Sequence, residues 1–360
     1  MSTKGKFRKG IKIAVSCVLM AVALVSVVRR MPEVFSDRDT ALAAAAFTLS
    51  DGKVYAAGST ETTAAPSSAA TVPPTTAAPA LQPQQRDKGG YYDSFGNHDG
   101  EARYAVEEKT ILPDGEEVDG CFVKNYTGLE VDFAGSLQAP LPFEVQRNAQ
   151  TPQVLIYHTH TSEAYLDEDV DWFYESYYSR TANNSYNVVA VGDAMAAVLQ
   201  KNGIATLHDA TVHDGTYDGS YDRSARTVAA DREKYPSVQV VLDIHRDALG
   251  TDERKVKTVF EHDGKKGAQI MILSGCDPDN ERDFAHWENN LNFALKLQHT
   301  AEQLYPGMTR PLDFGFFAYN EYICDGSLLI EIGTDANTVD EAAFAGECLA
   351  EVLTKVLSKG

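Results

Sequence analysis

The segment Val154–Glu163 reads VLIYHTHTSE: four apolar residues typical of a buried strand, followed at once by two histidines and then a carboxylate. Two further apolar runs end in the same kind of residue. Val238–Ile244 leads into His245, and Leu328–Ile330 leads into Glu331. Because an open α/β sheet builds its site from the residues at one end of its strands, we expect these polar groups to meet at one rim.

Two histidines and an acid are side chains that zinc prefers as ligands. Zinc binds His nitrogen and Asp or Glu oxygen, and a catalytic zinc keeps one position open for water. His160, Glu163 and His245 would supply three such ligands. Taken singly, His160 and His245 could equally be hydrogen-bonded structural residues at strand ends. Their combination with Glu163 favours a metal centre.

The residues beside these three have roles that the sequence leaves open. His158 shares a face with His160 if the strand continues, so it is a further ligand, a partner of a ligand or a substrate contact. Asp243 can orient a ligand histidine by accepting its second ring N–H. Arg246 and Asp247 are candidate substrate-binding residues, or else form a local ion pair.

Glu331 stands between Ile330 and Ile332 in a run that otherwise resembles an interior strand. A buried carboxylate is costly unless it is paired, so a salt bridge at the sheet edge is one interpretation. Beside a metal, a glutamate that is not a ligand can take a proton from the attacking water and pass it to the leaving nitrogen. We therefore expect Glu331 to be catalytic.

The pattern from residue 151 onward predicts an α/β domain: a mostly parallel, twisted sheet with helices on both faces. Thr338 and Glu341 have capping-box spacing, which marks the start of the last helix. Residues 151–360 would form the catalytic domain, and residues 100–150 a small leading segment packed on it. Helices are predicted over residues 185–200, 220–235 (a polar surface helix), 287–304 and 338–357.

The insertion Tyr165–Tyr186 is dense in aromatic residues. Aromatic side chains next to a site often line a substrate groove. They can equally pack together as the small core of a loop. The sequence leaves both interpretations open.

The first 90 residues differ in composition from the rest. Residues 1–12 form a basic tail, and residues 13–28 are an uninterrupted apolar run that is short for a membrane span of ~20 residues. Flanking Lys12 and Arg29 can extend the run by reaching the headgroups. We predict an uncleaved, single-pass transmembrane anchor with the N-terminus in the cytoplasm; the alternative is a cleaved signal peptide. Either places the catalytic domain outside the cytoplasmic membrane.

Two stretches would connect this anchor to the domain. Residues 29–57 are predicted to be a membrane-proximal segment. Residues 58–90 are rich in Thr, Ala and Pro with almost no large apolar residue, so they should form a disordered, flexible linker.

The charge of the chain limits the kinds of binding partner, and its cysteines raise the question of disulfides. The net charge is −20, although residues 1–30 carry seven Lys and Arg and no acid. So acidic a chain argues against nucleic acid as a partner, because phosphate binding needs a basic surface. Four cysteines lie beyond residue 28: Cys121, Cys276, Cys324 and Cys348. They are scattered along the chain and could form two disulfides or remain free thiols.

Three motifs resemble those of the stage II sporulation protein P family: IYHTHTSEAY at 156–165, LDIHRDA at 242–248 and LLIEIGTDANT at 328–338. That family is a branch of the zinc-dependent N-acetylmuramoyl-L-alanine amidases, which share an α/β fold. The resemblance implies that His160, Glu163 and His245 bind Zn²⁺ and that Glu331 is the catalytic acid. One departure is that Glu163 lies only three residues after His160, whereas other amidases carry this ligand at the start of the first helix.

The resemblance also implies an activity. It is cleavage of the amide between N-acetylmuramic acid and L-alanine in peptidoglycan, during engulfment, with stage II sporulation proteins D and M as possible partners. One alternative is a zinc endopeptidase with the same apparatus, since members are also described as cutting peptide cross-links. Another is a non-catalytic scaffold that binds glycan strands through a degenerate amidase fold. The complete apparent ligand set together with Glu331 counts against the scaffold.

Overall fold

The computed structural model describes residues 91–358, which all belong to one compact unit of the chain, residues 73–360. The basic tail, the anchor, the membrane-proximal segment and the linker predicted over residues 1–90 lie outside the described residues. Between residues 91 and 358, no helix combines the length and the apolar character needed to cross a bilayer.

The described residues form thirteen strands and five α-helices. The strands are β1 (Arg103–Lys109), β2 (Glu116–Val118), β3 (Cys121–Asn125), β4 (Val154–Tyr157), β5 (Trp172–Tyr174), β6 (Thr206–His208), β7 (Val240–Asp247), β8 (Gly250–Thr251), β9 (Arg254–His262), β10 (Lys265–Ala268), β11 (Ile270–Gly275), β12 (Leu312–Gly315) and β13 (Ser327–Thr334). The helices are α1 (Phe133–Gln138), α2 (Val188–Lys201), α3 (Ser220–Lys234), α4 (Trp287–Leu304) and α5 (Val339–Leu357).

The main sheet has eight strands in the order β2-β3-β12-β11-β13-β7-β4-β6. The four strands from β13 to β6 are parallel, but β11 and β13 are antiparallel, as are β2 and β3. The predicted mostly parallel sheet is therefore corrected to a mixed one. Parallel neighbours need a long crossover, and the segment 316–326 before β13 is short enough for β13 to return in the opposite direction.

A second sheet, which the sequence did not reveal, has the order β10-β9-β1-β5, with β8 paired to β9. Strand β1 pairs in parallel with β9, about 150 residues later in the chain, while β3 joins β12 in the main sheet. Residues 100–150 are therefore divided between both sheets. The described cysteines are free thiols, which settles the disulfide alternative for this structure.

Helices lie on both faces of the main sheet, as the sequence predicted. Alternate residues of a strand point to opposite faces. Ile156, Ile244 and Ile330 belong to the large core on the side of α2, α4 and α5. Tyr157 and Val241 instead pack with Val228 of α3 on the other side. By the same alternation, the side chains of residues 243, 245 and 331 point toward the α3 side.

Candidate metal centre

Strand β7 lies at the middle of the candidate site, between β4 and β13. Tyr157 of β4 is opposite Asp243, and Glu331 of β13 is opposite His245. The chain turns immediately after β4, where Glu163 N donates to the carbonyl of His160 over 3.0 Å. Three neighbouring parallel strands thus bring the residues predicted from separate motifs to one end of the sheet.

His245 lies between two carboxylates. Its Nδ1 is 3.4 Å from Glu163 Oε2, and its Nε2 is 2.9 Å from Asp243 Oδ1, although the second contact is not aligned as a hydrogen bond. Burial works to lower the pKa of His245, but Asp243 and Glu163 outweigh it and hold the pKa well above its ordinary value. The surroundings of this imidazole therefore favour a positive charge.

Glu163 is buried and accepts a hydrogen bond from the backbone N–H of Arg246 over 3.2 Å. Its Oε1 is 3.6 Å from Nη2 of Arg180. Burial works to raise the pKa of Glu163, but the Arg246 guanidinium and the His245 imidazole hold it well below the usual range. Glu163 is therefore an ionised carboxylate beside His245.

His160 is 6% exposed, and its Nδ1 is buried without a hydrogen-bond partner. Its ring stacks on Tyr217 with centroids 4.7 Å apart, and meets the ring of His245 edge to face at 5.3 Å. Burial, which outweighs the nearby Glu163, lowers the pKa of His160 to about 4. The imidazole is therefore neutral at physiological pH, which is the form that binds metals.

Glu331 Oε2 is buried and has no hydrogen-bond partner among the described residues. Burial and the nearby Asp247 raise the pKa of Glu331 to about 8, against the opposing effects of His245 and Arg310. A carboxyl group with a pKa near neutrality exchanges protons readily, and general acid–base catalysis requires this property.

The residues next to the proposed ligands in sequence have different surroundings. His158 is fully buried, and both of its ring nitrogens have partners: Nδ1 lies 2.8 Å from the Ile244 carbonyl and Nε2 lies 2.9 Å from Nε2 of His208. Strand β4 ends at Tyr157, so His158 and His160 do not share a face, contrary to the prediction for a continuing strand. Asp243 accepts from Thr159 N and Oγ1 while it contacts His245, the position that an orienting role requires.

Arg246 and Asp247 were predicted to contact substrate, with a local ion pair as the alternative. The structure corrects this for Arg246, which is buried and donates to the backbone carbonyls of Ala164 and Ser179. Asp247 forms an ion pair with Arg310 over 2.7 Å. Both residues thus hold the walls of the site in this structure.

Four residues of the site were missed from the sequence. Tyr217 and Tyr221 lie against His160, and Arg180 links Glu163 to the buried Asp214. Tyr221 lies on α3, which the sequence had indicated as a polar surface helix. Nothing local marks these residues, because they reach the site from helix α3 and from loops that lie outside its three motifs.

The aromatic insertion packs mainly as its own small core. Tyr165 and Tyr177 are buried and donate to backbone carbonyls of Ile332 and Asp335, and Tyr186 stacks on Tyr91 at 5.0 Å. Only Tyr178 is largely exposed among the tyrosines of this stretch. Of the two interpretations, the structure supports the loop core.

The chemistry of these side chains fits a zinc ion. Two ligand atoms about 2.0–2.2 Å from a tetrahedral ion lie roughly 3.3–3.6 Å apart, and Glu163 Oε2 and His245 Nδ1 are separated by 3.4 Å. Nδ1 of His160 lacks a partner, and Asp243 is placed to accept the other N–H of His245. His160 stands farther from the other two, with its ring centroid 5.3 Å from that of His245.

A second cluster of acidic side chains lies apart from the candidate metal centre. Among residues 91–358, one trio of side chains has its ligating atoms all within 4.8 Å of one another: Glu108, Asp169 and Glu341. Lys257 already provides the positive charge there, with Nζ 2.9 Å from Glu341 Oε1, 3.3 Å from Glu108 Oε2 and in contact with Asp169. Glu341 is also the capping-box residue of α5, so this group joins β9 to the start of the last helix.

Replacing Lys257 with methionine is expected to lower the free energy of unfolding by about 3 kcal/mol, because it leaves the buried Glu341 without its partner. The matched control is Lys266→Met, which removes a half-exposed partner of Glu108 and should cost less than about 1 kcal/mol. Urea unfolding of both variants measures the difference. Equal losses would show that Lys257 is an ordinary surface lysine.

Asp313 on β12 provides a pH-dependent prediction. Burial and the neighbouring Asp247 raise its pKa to about 6, against the attraction of Arg310. Below about pH 4 the carboxyl is protonated in both the folded and the unfolded protein. Between about pH 4 and 6 it ionises only in the unfolded protein, so the free energy of unfolding falls as the pH rises. Relative to Asp313→Asn, the wild type should lose about 2–3 kcal/mol between pH 4 and pH 7 in urea unfolding. A constant difference between the two proteins would contradict this.

A comparison with models of protein families identifies the family of this chain. The family model described as stage II sporulation protein P matches residues 77–354, which include all three motifs. The chain belongs to this family. The stage II sporulation protein P of Bacillus subtilis (strain 168) is 29% identical over 222 residues, covering 56% of this chain and 50% of that protein. The chain thus matches half the length of this curated relative.

Solved structures provide more distant likenesses. N-acetylmuramoyl-L-alanine amidase AmiC2 of Nostoc punctiforme is 12% identical, covering 57% of this chain and 94% of its own, with a TM-score of 0.32. The CwlD amidase of Clostridioides difficile, solved with the GerS lipoprotein, is 12% identical, covering 58% and 100%, with a TM-score of 0.34. At such TM-scores these likenesses support no conclusion about activity.

Proposed function

We propose that this protein is a zinc-dependent N-acetylmuramoyl-L-alanine amidase that hydrolyses peptidoglycan during sporulation. One observation carries the proposal: His160, Glu163, His245 and Glu331, from three separate motifs, converge at one end of β4, β7 and β13. Membership of the stage II sporulation protein P family supports the biological setting. His160 Nδ1 and Glu331 Oε2 are buried without hydrogen-bond partners among the described residues, which is consistent with groups that serve a ligand.

Each side chain then has a distinct task. His160, Glu163 and His245 would hold the zinc, which when bound polarises the amide carbonyl and activates water. Asp243 keeps His245 oriented. Glu331, in its carboxylate form, would accept the proton from the attacking water and donate it to the nitrogen of the leaving L-alanine.

We further propose that the protein is held at the cell membrane by the single-pass anchor over residues 13–28, with its N-terminus in the cytoplasm. The site would then face peptidoglycan outside the membrane. The basic residues that flank the apolar run support this orientation. Stage II sporulation proteins D and M are the proposed protein partners, on the basis of the family.

Product analysis on purified sacculi tests the proposal. Digestion by residues 73–360 should release free stem peptides with N-terminal L-alanine and leave intact glycan strands. Shortened cross-links with stems still attached to muramic acid would identify an endopeptidase instead. Binding to sacculi without any product would identify a glycan-binding scaffold. Mass spectrometry of the soluble and insoluble fractions separates the three outcomes.

A further inference from the structure

A polar cleft of about 450 Å³ opens next to the candidate metal centre. This volume lies within the usual range of small-ligand sites. Its lining residues come from two segments of the chain, 91–98 and 176–181. Arg180 lines the cleft and pairs with Glu163 across an isolated antiparallel bridge, so the cleft adjoins the zinc-ligand candidate.

Arg180 is held in place from behind. Nη1 donates to Asp214 Oδ2 over 2.8 Å and to Ser162 Oγ over 3.3 Å, and Asp214 is almost completely buried. The guanidinium also lies over the ring of Tyr217 at 5.5 Å. Within the described part of the chain, the Arg180 guanidinium donates hydrogen bonds through Nη1 only. The Arg180 side chain is 24% exposed. Nη2 lies 3.6 Å from Glu163 Oε1, which is too far for a hydrogen bond, so the N–H groups of Nη2 and Nε in the planar fork of the guanidinium can still donate to a planar anion.

The other charges of the cleft suit a peptide. Asp93 lines the cleft together with Arg180. The cleft therefore has one anionic and one cationic side chain, which suits a ligand that carries both carboxylates and amines, whereas a neutral glycan would use neither.

We propose that this cleft binds the stem peptide of peptidoglycan and that Arg180 recognises the free α-carboxylate of its second residue, an isoglutamate. This inference rests on the proposed amidase function. The second stem residue begins one residue beyond the cleaved amide, a span of at most about 7 Å for two extended residues. Arg180, whose Nη2 is 3.6 Å from Glu163, is close enough to the reaction to reach it.

Two soluble substrates that differ at one group test the role of Arg180. They are MurNAc-tripeptides whose second residue carries either a free α-carboxylate or the corresponding amide. With the full-length chain, kcat/KM for the acid should exceed that for the amide by about tenfold to a hundredfold, as expected for a charge-assisted hydrogen bond. In Arg180→Gln the ratio should fall to within about twofold, and Arg180→Lys should recover part of it. The ratio cancels any general damage to the site.

The matched control is Arg254→Gln, which changes a half-exposed arginine on β9 outside the cleft and should keep the wild-type ratio. Equal turnover of both substrates by the wild type would overturn the proposal, as would an unchanged ratio in Arg180→Gln.

Calorimetry with the free tripeptides separates this inference from the amidase proposal. Suppose that neither substrate is cleaved, but that the acid tripeptide binds at least about tenfold more tightly than the amide and that Arg180→Gln removes this difference. The amidase proposal would then fail, while the proposal that the cleft binds the peptide would hold. If the two tripeptides bind the wild type equally, the cleft does not recognise the carboxylate and the inference fails.

Discussion

Replacing Glu331 with glutamine is expected to reduce muropeptide cleavage by about 10³-fold, because general acid–base catalysis contributes roughly 10²–10⁴ to the rate. Glutamine is nearly isosteric, so it preserves the packing of β13 between β11 and β7. It removes only the carboxyl group that is proposed to accept and return the proton. Stem-peptide release from a defined muropeptide measures the loss.

Zinc content and the urea unfolding midpoint should be unchanged in Glu331→Gln, since Glu331 is not a proposed ligand and the substitution also removes a buried acid. Glu321→Gln is a suitable control: this glutamate is likewise buried with a raised pKa, but it accepts from Gly275 N. Its activity should stay near that of the wild type. Wild-type turnover in Glu331→Gln would exclude Glu331 from the mechanism.

The second large effect is expected from His245→Ala. The substitution removes a proposed zinc ligand and the positive partner of Glu163 and Asp243, which both remain buried. Zinc should bind at least about a hundredfold more weakly, and cleavage should fall to background. In the presence of a chelator the variant should still be about 3 kcal/mol less stable than the wild type, because the buried Asp243 has lost its counter-charge while Glu163 keeps only Arg246 and Arg180.

The control for this experiment is His262→Ala, which changes a partly exposed histidine on β9 whose ring meets that of Tyr305 edge to face. It should retain zinc, activity and most of the stability. Bound zinc measured by atomic emission, together with urea unfolding with and without chelator, distinguishes the two variants. Full zinc occupancy in His245→Ala would remove His245 from the ligand set.

The convergence of the three motifs could be predicted because each polar residue follows an apolar run with a strong local pattern. The apolar runs before His158, His245 and Glu331 each became a strand of the main sheet. The capping box at Thr338 was correct because it depends on two residues only three positions apart. Short-range patterns of this kind are set by local backbone geometry, which the sequence expresses directly.

What depends on distant pairing could not be predicted. The pairing of β1 with β9 and the antiparallel approach of β11 to β13 follow from contacts between remote segments, and neither changes the local apolar pattern. The same holds for Arg180 and Tyr217, which reach His160 and Glu163 from separate loops. His158 was ambiguous because its face depends on where β4 ends, and strand ends are poorly marked in a sequence.

The metal content and zinc coordination of residues 73–360 test the central claim most directly. Elemental analysis with zinc-edge X-ray absorption should find one zinc per chain, bound by two imidazole nitrogens and a carboxylate. The signal should disappear in His245→Ala and persist in Glu108→Gln, which alters the acidic group around Lys257. A chain without zinc, or a zinc lost on Glu108→Gln and kept on His245→Ala, would contradict the account.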